Sequence, residues 1–228
     1  MSLKRPASRG SKYSKKIDPK TFYVAYEGID DEKEYFEAFQ NSIKRRFAKN
    51  INFVAVEKST TNAEPEHVLK DLEDKLISDG IKYKRNSNIV TYIVIDTDHH
   101  FRDTHNRETS NVLQKCRQKG IKVALTNPCF ELWLMCHLKD ISNCSSKFKS
   151  KLLENAKVSR HKTFAKIEWG KIKGCSITND LISLVENALL HEAKLNRQCL
   201  NINSMPPNGL YSNVGDIFKE IQECGIDI

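Results

Sequence analysis

The sequence predicts an α/β fold: a doubly wound parallel sheet continued by a mostly helical C-terminal region. Three observations predict it. Short β-branched runs and helix-period apolar stripes alternate four times between residues 21 and 138, the pattern of strands joined by helical crossovers. The run Asn88 to Ile95 (NIVTYIVI) is apolar on both alternate sets, as a strand covered on both faces requires. The 228 residues are 39% hydrophobic and 29% charged with nine Gly and six Pro, a globular composition without internal repeats and long enough to bury a core.

Residues 1–20 carry Ser, Gly, Pro and charge without apolar periodicity and are expected to form a basic, disordered arm. The core is expected over 21–138 and a C-terminal region packed on it over 139–228. Thr21 to Tyr26 (TFYVAY) reads as a buried strand stopped by Glu27-Gly28. Asp30, Asp31 and Glu32 then suit a helix N-terminus, with Tyr35, Phe36, Phe39, Ile43 and Phe47 on one face. Ile51 to Val56 is a second strand, and Val68, Leu69, Leu72, Leu76 and Ile77 mark a helix closing near Gly80. The strand Asn88 to Ile95 runs into Asp96-Thr97-Asp98, a helix over Glu108 to Lys119 ends at Gly120, and Ile121 to Leu125 is the fourth strand. Asn127 and Pro128 suit the N-cap and first position of a helix running from Cys129 to Leu138, apolar nearly all round. Beyond it, one helical stripe joins Leu181, Leu184, Val185, Ala188 and Leu189, and another Val214, Ile217, Phe218 and Ile221; residues 205–209 form a loop.

Charge is distributed unevenly. The net +8 divides into +6 over residues 1–20, +7 over 147–173 and about −5 elsewhere. Two basic blocks around an acidic body favour a polyanionic partner through counterion release, so nucleic acid is the expected partner. Phe148, Phe164 and Trp169 within the second block are expected to stack on bases. Seven Cys without a C-x-x-C pair point to reduced structural thiols rather than a disulfide framework or zinc knuckle. No run reaches the roughly 18 apolar residues of a membrane span, and no signal segment follows the basic N-terminus, so the expectation is a cytoplasmic protein without a membrane partner.

Ligands of open parallel sheets bind at the carboxyl ends of the strands. Glu27 closes the first strand, Glu32 follows about one helical turn later, Asp96 and Asp98 close the third, and Glu131 sits at the start of the helix after the fourth. At an extended strand end, positions i and i+2 face one side, so Asp96 and Asp98 are placed to hold one cation. Oxygen-only ligands suit Mg²⁺ or Mn²⁺ rather than zinc. Glu131 reads equally as a further ligand or as a buried hydrogen-bond partner.

These residues resemble the Toprim catalytic domain, a Rossmann-like fold of topoisomerases, primases and some nucleases. YEGIDDEKEYF (26–36), VIDTDHH (94–100) and TNPCFELWLMCHL (126–138) together are similar to the RloB-like family, Toprim-type proteins of bacterial defence loci, over nearly the whole chain after residue 20. The resemblance implies metal-assisted phosphoryl transfer in antiphage defence. Glu27, Glu32, Asp96, Asp98 and Glu131 are then the metal-site candidates, with Glu27, Asp96, Asp98 and His100 as catalytic candidates, and Glu27 either ligand or general acid/base. His99, His100 and Arg102 follow the D-x-D, where they would orient substrate or stabilise charge, and Arg102, Lys162, Lys166 and Lys171 are the nucleic-acid-binding candidates. A hydrolytic nuclease is the expected activity, with RNA, including tRNA, favoured over DNA. The alternatives are a silent nucleic-acid-binding regulator and a nucleotidyltransferase. The chain lacks G-x-x-x-x-G-K-[ST], so ATP dependence is expected only from an ABC-type or AAA-type ATPase encoded nearby.

Overall fold

The computed structural model describes residues 19–60, 64–81, 87–98, 105–160, 162–174 and 179–226. The predicted arm up to residue 18 lies outside the described residues. In chain order the elements are β1 (Lys20–Tyr26), α1 (Asp31–Arg46), β2 (Ile51–Val56), α2 (Pro65–Ser78), β3 (Ile89–Asp96), α3 (His105–Lys119), β4 (Lys122–Asn127) and α4 (Glu131–Leu138). A short 3-10 turn leads to α5 (Ser146–Glu154), β5 (Lys157–Ser159), β6 (Lys162–Thr163), α6 (Phe164–Lys173), α7 (Asn179–Ile182), α8 (Val185–Asn196), β7 (Tyr211–Ser212) and α9 (Gly215–Gln222).

The fold is α/β, with a five-stranded sheet in the order β2-β1-β3-β4-β7. The first four strands pair in parallel and β7 joins β4 antiparallel. Chain direction across the sheet reverses between β1 and β3, and that switch point is where open sheets form ligand crevices.

Strand alternation sends one set of side chains to each face. Tyr23, Ala25, Ile93 and Ile95 pack under α2 and α3. Phe22, Val24, Tyr26, Val90, Tyr92 and Val94 face the larger core, which α1, α4, α6, α8 and α9 fill. Leu132, Trp133, Leu134, Met135 and Cys136 of α4 are all fully buried, because α6 and α8 cover the sides the sheet does not. Each such side chain contributes about 1.5–3 kcal/mol by burial. One buried polar relay is paired: Tyr35 O–H donates to His137 Nε2 (3.0 Å), and His137 Nδ1–H donates to the Trp133 carbonyl (3.1 Å). Tyr26 O–H and the indole N–H groups of Trp133 and Trp169, by contrast, are buried without a hydrogen-bond partner among the described residues. Burial pushes the His137 imidazole down to about 4, so it is neutral here.

Gly80 and Gly120 close α2 and α3 at φ of 68° and 72°, as the sequence predicts. Cys116, Cys129, Cys136, Cys144, Cys199 and Cys224 are free thiols.

Several expectations are corrected. The helix expected from Cys129 begins at Glu131, and neither Asn127 nor Pro128 caps it. Asn127 instead ends β4, where burial demands partners for its whole amide. Its Nδ2 donates to the carbonyls of Pro207 (2.8 Å) and Gly209 (2.7 Å), and its Oδ1 accepts from the Thr97 hydroxyl. The stripe from Leu181 to Leu189 is broken at 183–184 into α7 and α8. The C-terminal region also contains strands: the β5–β6 hairpin and β7, which adds to the edge of the main sheet.

Candidate functional site

β1 and β3 deliver their last residues side by side at the switch point. The Asp96 N–H donates to Glu27 Oε2 at 3.3 Å, which places the Glu27 carboxylate over the end of β3. Gly28 makes room beside it, since a Cβ there would overlap the Glu32 carboxylate. The loop after β3 is pinned to the one after β4: the N–H groups of Thr97 and Asp98 both donate to the Pro128 carbonyl at 3.1 Å. The Thr126 hydroxyl donates to Asp96 Oδ1, and Asn155 Nδ2 donates to Asp98 Oδ2 at 2.8 Å.

Glu27, Glu32, Asp96, Asp98 and Glu131 thereby line one cavity of about 340 Å³. Glu32 and Glu131 stand in the first turns of α1 and α4, where helix N-termini favour negative charge. That help is partial. Burial, and then Glu27, Glu32, Asp98 and Glu131, push the Asp96 carboxyl well above the ordinary range. Burial and Glu131 push Glu32 up in the same way, and burial raises Glu131.

Much of the rest of the lining is basic. Lys157, Arg160, Lys162 and Lys166 join it from the β5–β6 hairpin and the start of α6. Lys58 also reaches in, donating to the Glu27 carbonyl at 2.6 Å. Burial works against the Lys166 ammonium, but Glu131 and Glu32 hold it above its ordinary value.

An oxygen-only set with this much mutual repulsion has the donor chemistry that suits Mg²⁺ or Mn²⁺. The donors are not drawn into one coordination shell: among the described residues, no three His, Cys, Asp or Glu side chains form a group able to hold a metal ion as they stand. Asp96 and Asp98 are held back by their bonds to Thr126 and Asn155.

Of the candidates from sequence, the structure brings Glu27, Glu32, Asp96, Asp98, Glu131, Lys162 and Lys166 to one cavity. Lys171 is not part of the lining and pairs instead with Glu168 at 2.6 Å. His99, His100 and Arg102 lie outside the described residues. The expected base-stacking aromatics are core residues: Trp169 is 1% exposed, and Phe148 and Phe164 pack edge to face at 5.9 Å against the same core. Sequence reasoning missed Asn155, Lys58, Lys157 and Arg160. Asn155 carried one local signal, an Asn after a helix, and it does adopt the left-handed conformation at φ 45° that favours Asn at that position.

Fold and site together define an α/β protein with clustered carboxylates and cations at the switch point of a doubly wound sheet. The family model described as RloB-like protein matches residues 22–221, and the chain belongs to that family. No curated protein and no solved structure matches it. Among the described residues, no helix is long and apolar enough to cross a membrane.

Proposed function

We propose that the chain is a Mg²⁺-dependent or Mn²⁺-dependent nuclease with a Toprim-type site, hydrolysing phosphodiester bonds of RNA, tRNA among them, in preference to DNA, in bacterial antiphage defence. The observation that carries this reading is the cavity at the switch point, lined by buried and half-buried carboxylates together with Lys58, Lys157, Arg160, Lys162 and Lys166. Asp96, Asp98, Glu27, Glu32 and Glu131 would hold the ion, which would supply polarisation of the scissile phosphate and a lowered pKa for the attacking water. Lys162, Lys166 and the hairpin cations orient the phosphate and offset charge developing on its oxygens. Glu27, fixed by the Asp96 N–H, is the ligand or the general base for the incoming water. Any ATP dependence comes from a separate ABC-type or AAA-type ATPase acting on this chain.

A second reading is a silent nucleic-acid-binding regulator, favoured by the carboxylates standing apart rather than in one coordination shell. Incubating purified protein with radiolabelled tRNA, plasmid and single-stranded DNA, with and without Mg²⁺ or Mn²⁺, separates the two. Cation-dependent cleavage that is lost in Asp96→Asn supports the nuclease; binding of all three without cleavage leaves the regulator.

A further inference from the structure

The hairpin β5–β6 and the carboxylates line one cavity. Lys157, Arg160 and Lys162 line the same cavity as Glu27, Asp96 and Glu131, yet none of these three cations makes an ion pair among the described residues. These three side chains are exposed, so their charge stays solvated and available to an anion, while the buried carboxylates in the same cavity call for a cation. A group that satisfies both sets carries negative charge toward the hairpin and a cation toward the carboxylates. A nucleotide phosphate with its divalent ion does this.

The hairpin is also tethered at its base. Asn155 precedes β5, bonds Asp98 through Nδ2 and accepts the Ala165 N–H through Oδ1 at 2.9 Å, so both ends of the hairpin are tied to the end of β3. The Phe164 N–H donates to the Ala156 carbonyl at 3.0 Å, which closes the base of the hairpin.

The size of the gap limits what enters. About 340 Å³ is at the small end of the roughly 300–1,000 Å³ range of ligand pockets and matches one nucleotide rather than a stretch of double helix. Glu27 and Glu131 are 9% and 5% exposed, recessed within the cavity rather than on an open face. A phosphate of a base-paired strand reaches carboxylates this recessed only if its nucleotide leaves the stack.

We propose that this cavity takes a single unpaired nucleotide, with its phosphate between Arg160 and Lys157 on one side and the carboxylates on the other, so that the strand is single-stranded at the position acted on. The inference rests on the nuclease reading for its substrate class and adds the strandedness and the hairpin contacts. The hydroxyls of Ser159 and Thr163 in the same lining supply the neutral hydrogen bonds.

The test is fluorescence anisotropy with Ca²⁺ replacing Mg²⁺, using a labelled single-stranded oligonucleotide, a blunt duplex of the same sequence, and thymidine 3′,5′-bisphosphate as competitor. The single strand is expected to bind at least about tenfold tighter than the duplex and to be displaced by the bisphosphate. Arg160→Gln, and Lys157→Gln as the second variant, should each weaken single-strand binding by about tenfold with an unchanged melting temperature, as loss of a charge-assisted phosphate contact does. Equal or tighter duplex binding, normal binding by both variants, or binding of the bisphosphate without the oligonucleotide overturns the proposal. The same probes in Mn²⁺ keep the two readings apart. Single-strand binding without cleavage overturns the nuclease alone, and cleavage with the duplex preferred overturns this inference alone.

Discussion

Asn155 reaches across 57 positions of sequence to donate its side-chain N–H to Asp98 at 2.8 Å, while its Oδ1 takes the N–H of Ala165. One buried amide therefore sets the distance between the end of β3 and the basic hairpin. Asn155→Gly keeps the left-handed backbone and removes only the side chain. Partners one step behind metal ligands typically change affinity or activity by about 10–100-fold, and a loss of that size is expected here. Mn²⁺ titration and single-turnover cleavage check it; an Asn155→Gly protein with unaltered Mn²⁺ affinity would remove Asn155 from the site.

Gly28→Ala tests the packing beneath Glu32. The added methyl must displace the Glu32 carboxylate, which is the end of a flexible side chain, so folding should survive while activity falls. Because both changes act on the same group, the double variant Gly28→Ala/Glu32→Ala should be no worse than Glu32→Ala alone. Additive losses in that cycle would mean that Gly28 acts elsewhere.

Asp96→Asn removes charge from a buried carboxyl surrounded by other carboxylates at nearly constant volume. Burial and four carboxylate neighbours all disfavour its ionised form, so the variant should be as stable as the parent or more so, while activity drops by orders of magnitude. Urea midpoints beside cleavage rates check both halves, and full activity in the folded variant would sink the Toprim-type reading.

Stability should also depend on pH through Glu192, which lies outside the candidate site. Glu192 on α8 is 1% exposed, accepts from the Ser212 hydroxyl (2.7 Å) and the Gly215 N–H (3.0 Å), and faces Lys219 at 3.9 Å. Burial pushes its carboxyl from 4.5 up to about 7. The folded chain then binds the extra proton between those values, so the contribution of Glu192 is full below the lower value and declines as pH rises to the upper one. The fall is about 3 kcal/mol at about 1.4 kcal/mol per pH unit. Repelled Asp96, Glu32 and Glu131 act in the same direction. Glu192→Gln should flatten part of this slope in urea unfolding at about pH 5 and about pH 8; an unchanged slope would contradict the assignment.

The four central strands were legible because burial on both faces leaves nearly continuous apolar runs, as from Ile89 to Asp96, and the carboxylates were legible because those runs end in them. The hairpin and β7 were not: two or three residues are too short to show a period, and Tyr211–Ser212 is a strand only because β4 offers it an edge. Charge density around Trp169 and Phe148 suggested an exposed stacking surface, whereas their rings complete the core and the neighbouring Lys173 is spent on Asp31 at 3.1 Å. Asn155 was out of reach because its partner is far away in sequence.

The late arrival of β7 and α8 constrains how this protein is made. On the ribosome, residues 20–138 emerge first, carrying the edge of β4 with Thr126 and Asn127 unpaired and the apolar α4 uncovered on the side that α8 later takes. An open strand edge beside exposed Trp133 and Leu134 is a nucleus for aggregation. Translation that stalls before residue 185 would therefore release an adhesive fragment, and synthesis through residue 212 is needed before the nascent chain can hide that surface.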